Sequence, residues 1–340
     1  MPCIVTVGGF YGDEGKGKVL AYLAKKDQYS IAVRGGVGPN AGHTFVDDGK
    51  IYKVRMLPSA AINPSTRLLI GAGVLINPEI LLKEMESFNA FDRTFVDLQC
   101  GIINERHIEK DSSQDHLKGF IGTTGSGTGP ANADRAYRIL KIAREIKDLS
   151  LYLGDVSASV NYALDNNENV IVEGTQGTFL SLYYGEYPYV TSKDVTASGI
   201  CADVGIGPKK VDEVLVVFKS YVTRVGAGPL QDEISRKEAE KRGWLEYGSV
   251  TGRERRASPF NMKLAKKAIS LNSATQVAIT KLDVIFPKVR GIREFNKLPA
   301  EAKKFIHDIE SETGINVVFI GTGAELNDMI DCRLHTAETK

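Results

Sequence analysis

Cysteine is scarce in this 340-residue chain: Cys3, Cys100, Cys201 and Cys332 lie far apart, with no C-x-x-C pair. That excludes a disulfide framework and a thiolate zinc site, and makes a reducing compartment, the cytoplasm, the default expectation. Charge of one sign is lacking too. Lys and Arg number 43 against 42 Asp and Glu, a net charge of +1, so no whole-surface attraction to nucleic acid or to a membrane is expected. No apolar run reaches the roughly 18 residues that a membrane-spanning helix needs. The opening Met-Pro-Cys-Ile-Val-Thr-Val has no basic segment ahead of its apolar one, so it is read as a strand and not as a secretory signal. Histidine is rare as well, at five residues, so each one can be weighed singly.

Glycine, by contrast, is abundant, at 34 residues in a chain that is 42% hydrophobic and 25% charged. The rest of the composition is that of an ordinary globular protein, long enough to bury a core without metal or disulfide staples. Length alone allows two domains. The absence of a Pro- or Ser-rich linker, an internal repeat or a low-complexity tract favours one α/β domain over residues 1–340.

Short runs of β-branched residues alternate with amphipathic stretches. Ile4–Val7, Val170–Val172, Val214–Phe218, Val277–Thr280 and Val317–Ile320 read as buried strands. Lys16–Lys25, Pro78–Ser87, Ala133–Lys147, Val156–Leu164, Met262–Leu271 and Pro299–Glu312 read as helices. Phe45–Tyr52 reads as a hairpin turning at Asp48-Gly49. This alternation predicts a central, mostly parallel sheet flanked by helices, with loop excursions. The glycines cluster in seven segments: Gly8–Gly17, Gly35–Gly42, Gly122–Gly129, Gly174–Gly177, Gly199–Gly207, Gly226–Gly228 and Gly321–Gly323. In a parallel sheet such loops meet at the carboxyl ends of the strands, where ligands bind.

The first of them carries the clearest chemistry. Gly12-Asp13-Glu14-Gly15-Lys16-Gly17-Lys18 follows a strand run and opens a helical one, the setting in which backbone N–H groups and a lysine hold phosphates. Val19 stands where a phosphate loop usually has its Mg²⁺-binding Ser or Thr. Asp13, inside the loop, offers a hard oxygen ligand or a proton acceptor in its place. His43, at the mouth of Gly35–Gly42 with Asn40 and Thr44 beside it, is placed to act on a phosphate oxygen. Thr280-Lys281-Leu282-Asp283 ends an apolar run. A carboxylate there accepts both N1–H and the 2-amino group of guanine, a donor pair that adenine lacks. Gly248-Ser249-Val250-Thr251-Gly252-Arg253-Glu254-Arg255-Arg256 lies in a stretch with a local excess of Lys and Arg and has no helical period. It reads as an anion-binding loop.

Eight motifs, in order, carry a family resemblance: GDEGKGK at Gly12–Lys18, NAGHT at Asn40–Thr44, GTTGSGTGP at Gly122–Pro130, EGTQG at Glu173–Gly177, YPYVTS at Tyr187–Ser192, TRVGAGP at Thr223–Pro229, TGRERR at Thr251–Arg256 and TKLDV at Thr280–Val284. Over essentially its whole length the chain resembles the adenylosuccinate synthetase family, in its shorter, compact branch. The resemblance implies a ligase that forms adenylosuccinate from IMP and L-aspartate with GTP and Mg²⁺, through a 6-phosphoryl-IMP intermediate. By position it implies Asp13 as the base and a Mg²⁺ ligand, the Gly42 carbonyl as the second protein ligand, and His43 as the acid. It implies GTP contacts at Gly12, Asp13, Glu14, Gly15, Lys16, Gly17, Lys18, Gly42, His43, Thr44, Arg255, Lys281, Leu282, Asp283, Gly321, Thr322 and Gly323. IMP would be held by Asp13, Lys16, Asn40, Ala41, Gly42, His43, Thr124, Gln176, Thr191, Val225 and Arg253. Arg138 would reach the IMP phosphate of a neighbouring subunit in a homodimer; as a lone residue it also fits an ordinary helix-surface arginine. Ser249, Val250, Thr251, Gly252, Arg253 and Arg255 would receive aspartate.

The chain departs from the family's pattern at several places. Phe10-Tyr11 replaces Gln-Trp before the phosphate loop, Ser126 replaces an Arg, Val250 a Thr and Glu254 an Arg, and Ala257-Ser258-Pro259-Phe260 replaces a Gly-Trp-rich continuation. These bear on aspartate binding more than on reaction class. Two other functions fit parts of the pattern. A related synthetase acting on dGMP typically lacks the loop aspartate, which is present here as Asp13. A GTP-binding switch would leave His43 and the arginine loop without a role.

Overall fold

The β-branched runs become strands whose successive residues enter two different cores. The computed structural model describes residues 3–248 and 252–333. In the strand Cys3–Gly8, Cys3, Val5 and Val7 join one buried cluster and Ile4 the other. Val214, Val216 and Phe218 of the strand Glu213–Lys219 face the first cluster, and Leu215 and Val217 the second. That is the period-2 alternation of a sheet covered on both faces. Each fully buried Val, Leu or Ile contributes roughly 1.5–3 kcal/mol. The helices Lys16–Asp27 and Pro78–Ser87 close one face through Val19, Leu20, Leu23, Leu81 and Met85. Val156–Asp165, Ala197–Val204, Met262–Asn272 and Ala300–Thr313 close the other.

The central sheet has ten strands in the spatial order Met329–Asp331, Val317–Gly321, Gln276–Thr280, Glu213–Lys219, Cys3–Gly8, Val170–Glu173, Ile31–Arg34, Arg67–Ile70, Thr94–Asp97 and Leu153–Gly154. Every pairing is parallel except that of Met329–Asp331, which runs antiparallel to Val317–Gly321. All parallel strands therefore end at one edge. Of three smaller sheets, two line the site above that edge. One is the hairpin His43–Asp47 with Lys50–Val54. The other joins Tyr221–Arg224, Glu254–Pro259 and Glu246–Tyr247, all antiparallel.

The expected strands, the mostly parallel sheet and the Asp48-Gly49 hairpin are all present. Three expectations need correction. The helix expected over Ala133–Lys147 is instead Thr128–Tyr137. It starts early because Gly127, left-handed at φ 79, caps it and Pro130 fits its first turn. It stops at Arg138, left-handed at φ 65, because the chain then pairs with 100–102: Ile102 N donates to Lys141 O (2.9 Å) and Ala143 N to Cys100 O (2.8 Å). The segment Gly199–Gly207 is no ligand loop but mostly the helix Ala197–Val204, whose Ile200 and Val204 enter the core. The arginine run has a strand in it: Glu254–Pro259 pairs on both sides.

Candidate active site

The phosphate loop is shaped from within. Gly12 and Gly15 are left-handed (φ 87 and 83), and so is Asp13 (φ 63), a conformation that a non-glycine residue holds only at some cost. Glu14 holds that shape. Its Oε1 accepts from the N–H groups of Phe10 (3.0 Å) and Gly12 (2.8 Å), and its Oε2 pairs with Lys16 Nζ at 3.0 Å. The Glu14 carboxylate is thus spent on the loop and meets no phosphate. Lys16 also donates to Gln176 O. The helix Lys16–Asp27 starts without a side-chain cap, leaving its first N–H groups to an anion. Gly17 is required by packing: a Cβ there would lie 2.8 Å from the His43 Cβ.

His43 is held in a buried polar knot. Its Nδ1 meets Glu173 Oε1, with Arg34 Nη1 at 2.9 Å and Ser59 Oγ at 3.4 Å. Glu173 also pairs with Arg34 and accepts from Ser59 N (2.6 Å) and Ser59 Oγ (2.9 Å). Burial, then the facing Arg34, pull the His43 pKa down to about 4, against the attraction of Glu173. Burial pushes the Glu173 carboxyl up, but His43 and Arg34 outweigh it and hold it at about 2. The Nδ1 edge of the ring is thus tied to Glu173, and His43 lines the cavity.

Asp13 is a quarter exposed, at 26%, and its Oδ1 pairs with Arg255 Nη2 at 2.9 Å. The other arm of Arg255, Nη1, lies 2.5 Å from Glu246 Oε2. Lys219 and Lys281 also converge on Glu246, at 3.0 and 2.6 Å, and the Tyr221 hydroxyl donates to it. Burial favours the neutral acid, but Lys219, Lys281 and Arg255 hold Glu246 well below the usual carboxylate range.

Asp13, Lys16, His43, Arg255 and Lys281 border one cavity of about 740 Å³. It is lined by Gly12, Asp13, Gly15, Lys16, Gly17, Lys18, Asn40, Ala41, Gly42, His43, Thr44, Thr124, Gln176, Thr191, Val225, Arg253, Arg255, Lys281 and Gly323, so all the expected glycine loops but Gly199–Gly207 reach it. Two buried amide atoms on its wall, Asn40 Oδ1 and Gln176 Nε2, have no hydrogen-bond partner among the described residues. Such groups are costly unless a ligand completes them. Asn40 Nδ2 lies 3.4 Å from Thr191 Oγ1, Thr124 Oγ1 3.0 Å from Ser126 Oγ, and Arg253 Nη1 donates to Gly122 O at 2.8 Å.

Of the other expected contacts, Leu282, Asp283, Gly321 and Thr322 sit off the cavity wall, while Lys18 is on it. Leu282 is a core residue. Thr322 is buried, its hydroxyl donating to Ile292 O at 2.7 Å. Gly321 ends its strand beside Thr280. The Asp283 carboxylate is nearly buried, 3.5 Å from Arg290 Nε. Lys18 donates to Gly323 O (2.8 Å) and Asp328 O (2.7 Å), and burial lowers its pKa to about 8 despite Asp328, Asp283 and Glu325. Arg138 is exposed and absent from the cavity wall. Gly252 N donates to Gly248 O at 2.8 Å. Ser249, Val250 and Thr251 lie outside the described residues.

Sequence reasoning missed Glu173, Arg34 and Glu246. A glutamate closing the apolar run Val170–Val172 was a readable signal for a buried carboxylate at a strand end; Glu246 has no local signal.

The adenylosuccinate synthetase family model matches residues 5–150 and 137–289. The chain is 56% identical over 336 residues to the adenylosuccinate synthetase of Methanocaldococcus jannaschii, covering 98% of this chain and 97% of that one. It is 52% identical over 333 residues to that of Archaeoglobus fulgidus, covering 98% and 99%. Among solved structures it is similar to the fully ligated adenylosuccinate synthetase of Plasmodium falciparum, with a TM-score of 0.87, 27% identity, and 96% and 99% coverage. It is also similar to the succinoaminodeoxyadenylate synthetase of cyanophage S-2L bound to dGMP and dATP, with a TM-score of 0.79, 25% identity, and 100% and 99% coverage.

Proposed function

Because the chain belongs to the adenylosuccinate synthetase family, we infer that it joins IMP to L-aspartate while splitting GTP to GDP and phosphate. The observation that carries this reading is the single cavity with a phosphate loop, two unpartnered amides and an arginine-bearing hairpin on its walls. Asp13 takes the N1 proton of IMP. The electron pair so released lets O6 attack the γ-phosphorus of GTP, and the bond to the GDP oxygen breaks. Lys16 and the open start of its helix neutralise the charge on the moving phosphoryl group, and His43, protonated as those anionic oxygens approach, donates to them from Nε2. The amine of aspartate then adds at C6, phosphate leaves with O6, and the amine gives up its proton. Most of this is positioning and charge neutralisation.

Among the described residues no cluster of three or more His, Cys, Asp or Glu is set to hold a metal ion. Mg²⁺ needs no such cage: it is commonly held by one or two hard protein oxygens together with substrate phosphates. The Asp13 carboxylate and the Gly42 carbonyl, both on the cavity wall, fit that donor set. When bound there, Mg²⁺ screens the phosphate charges.

Asn40, Ala41, Thr124, Gln176, Thr191, Val225 and Arg253 hold IMP, the two unpartnered amides supplying polar contacts. Arg138, exposed and left-handed just past its helix, serves the IMP phosphate of a second copy in a homodimer. The arginine loop, with Ser249, Val250, Thr251, Gly252, Arg253 and Arg255, takes the carboxylates of aspartate. The chain acts as one α/β unit in the cytoplasm; no helix among the described residues is long and apolar enough to cross a membrane.

A coupled assay with IMP, L-aspartate and GTP tests the reading. GDP release should require both IMP and aspartate, and dGMP should not replace IMP. Aspartate-independent GDP release at saturating substrates would sink it and favour a GTP-binding switch. For the guanine end, Asp283→Asn should reduce the GTP:ATP preference about tenfold or more, since a carboxylate that accepts two guanine N–H groups is lost. An unchanged kcat/KM ratio for the two nucleotides would remove Asp283 from that role.

A further inference from the structure

Glu246 is absent from the cavity wall, yet it holds two residues that are on it, Arg255 and Lys281. Its four partners come from four elements. Lys219 ends a central strand, Tyr221 opens a strand of the upper sheet, Arg255 lies on the paired strand Glu254–Pro259, and Lys281 follows another central strand. Glu246 itself pairs with Arg255 in the ladder, and Tyr247 with Glu254, so Glu246 lies on the strand that leads into Gly248, opposite the strand that carries Arg255. Arg255 is thereby gripped at both ends, Nη1 by Glu246 and Nη2 by Asp13.

Strand pairing alone does not call for this cluster. Buried ion clusters are costly to desolvate, and well-packed apolar side chains hold strands as firmly. We propose that Glu246 is a positioning residue that ties the arginine loop to the nucleotide end of the site, so that GTP and aspartate bind cooperatively. The inference rests on the reaction given above. An anion that engages Lys281 draws one cation from Glu246. The carboxylate is then left to Lys219, Tyr221 and Arg255, which tightens the base of the aspartate loop. By linkage, aspartate tightens the nucleotide end by the same factor. Asn40, Gln176 and Thr191, on the IMP wall, have no direct bond to Glu246 among those described.

The test is steady-state kinetics of the full chain carrying Glu246→Gln, with the aspartate KM measured at low and saturating GTP. In the parent chain, saturating GTP should lower the aspartate KM. In E246Q the aspartate KM should rise about tenfold or more, the loss of a charged hydrogen-bond acceptor. Its dependence on GTP should vanish, and the IMP KM should stay within about twofold. A purely structural residue would lower kcat with the folded fraction and leave every KM in place. Tyr221→Phe is the second variant: it keeps the ring, stacked 4.8 Å from Trp244, and removes one donor. It should shift the aspartate KM the same way by about threefold. An aspartate KM in E246Q within twofold of the parent, an equal rise in the IMP KM, or an unchanged Y221F should E246Q fail to fold would each overturn the proposal. A parent chain with no aspartate-dependent turnover would overturn the reaction itself.

Discussion

Asp13→Ala should lower kcat by about 10³-fold or more, because a general base alone accounts for 10²- to 10⁴-fold and the same carboxylate is the proposed Mg²⁺ ligand. The residue gives the fold little to lose. It lies a quarter exposed on a loop, and its partner Arg255, 9% exposed, keeps Glu246 as a second carboxylate when Asp13 is removed, so that guanidinium is not left without a counter-ion. Alanine at φ 63 costs about 1–2 kcal/mol more, so Asp13→Asn, which tolerates that conformation, is the companion variant. Both should melt within several degrees of the parent by circular dichroism, and neither should turn over in the coupled assay. A kcat within tenfold of the parent in either variant would remove Asp13 from the proton-transfer step.

His43→Asn should cost about 10²- to 10⁴-fold in kcat with the IMP KM little changed, as expected of a group that acts on the moving phosphoryl and not on bound substrate. Glu173 makes the prediction sharper. Glu173→Gln keeps the shape but removes the anion that aligns Nδ1 and balances Arg34, itself 1% exposed. Leaving that guanidinium buried and unpaired costs about 3–5 kcal/mol. E173Q should therefore lower both kcat and the melting temperature, whereas H43N lowers kcat with a smaller thermal shift. Two variants with equal melting losses and equal residual activity would mean that His43 is merely structural.

The alternation of β-branched strands with helices was legible because parallel strands buried on both faces need uninterrupted apolar runs, and Val214–Phe218 and Val277–Thr280 supply them. The phosphate loop was legible because only glycine readily takes the turns at Gly12 and Gly15. The strands Ile31–Arg34, Arg67–Ile70 and Thr94–Asp97 went unread. Each is four residues long and carries a polar residue at one end or both, and their pairing comes from neighbours distant in the chain. Arg34 shows why: a strand-end arginine looks like a surface residue until Glu173, 139 residues away, closes on it. Glu246 was invisible for the same reason, since its partners Lys219, Tyr221, Arg255 and Lys281 meet only in three dimensions. The misplaced helix around Arg138 reflects a competition that periodicity does not register, in which 141–143 pairs with 100–102 instead of continuing the helix.

The first strand, Cys3–Gly8, lies between Val170–Glu173 and Glu213–Lys219, and that order governs how the protein is made. A ribosome adds about 5–20 residues per second, so the earliest apolar strand waits roughly 10 to 40 s for its second neighbour. Lys18 waits longer still, for the carbonyls of Gly323 and Asp328. The phosphate loop is thus synthesised long before the contacts that complete it. Nucleotide cannot rescue a nascent chain whose binding site still lacks its far wall. A bare Val- and Ile-rich edge of that lifetime is what holding chaperones bind, so the yield of this enzyme in a cell should depend on their supply more than on its substrates.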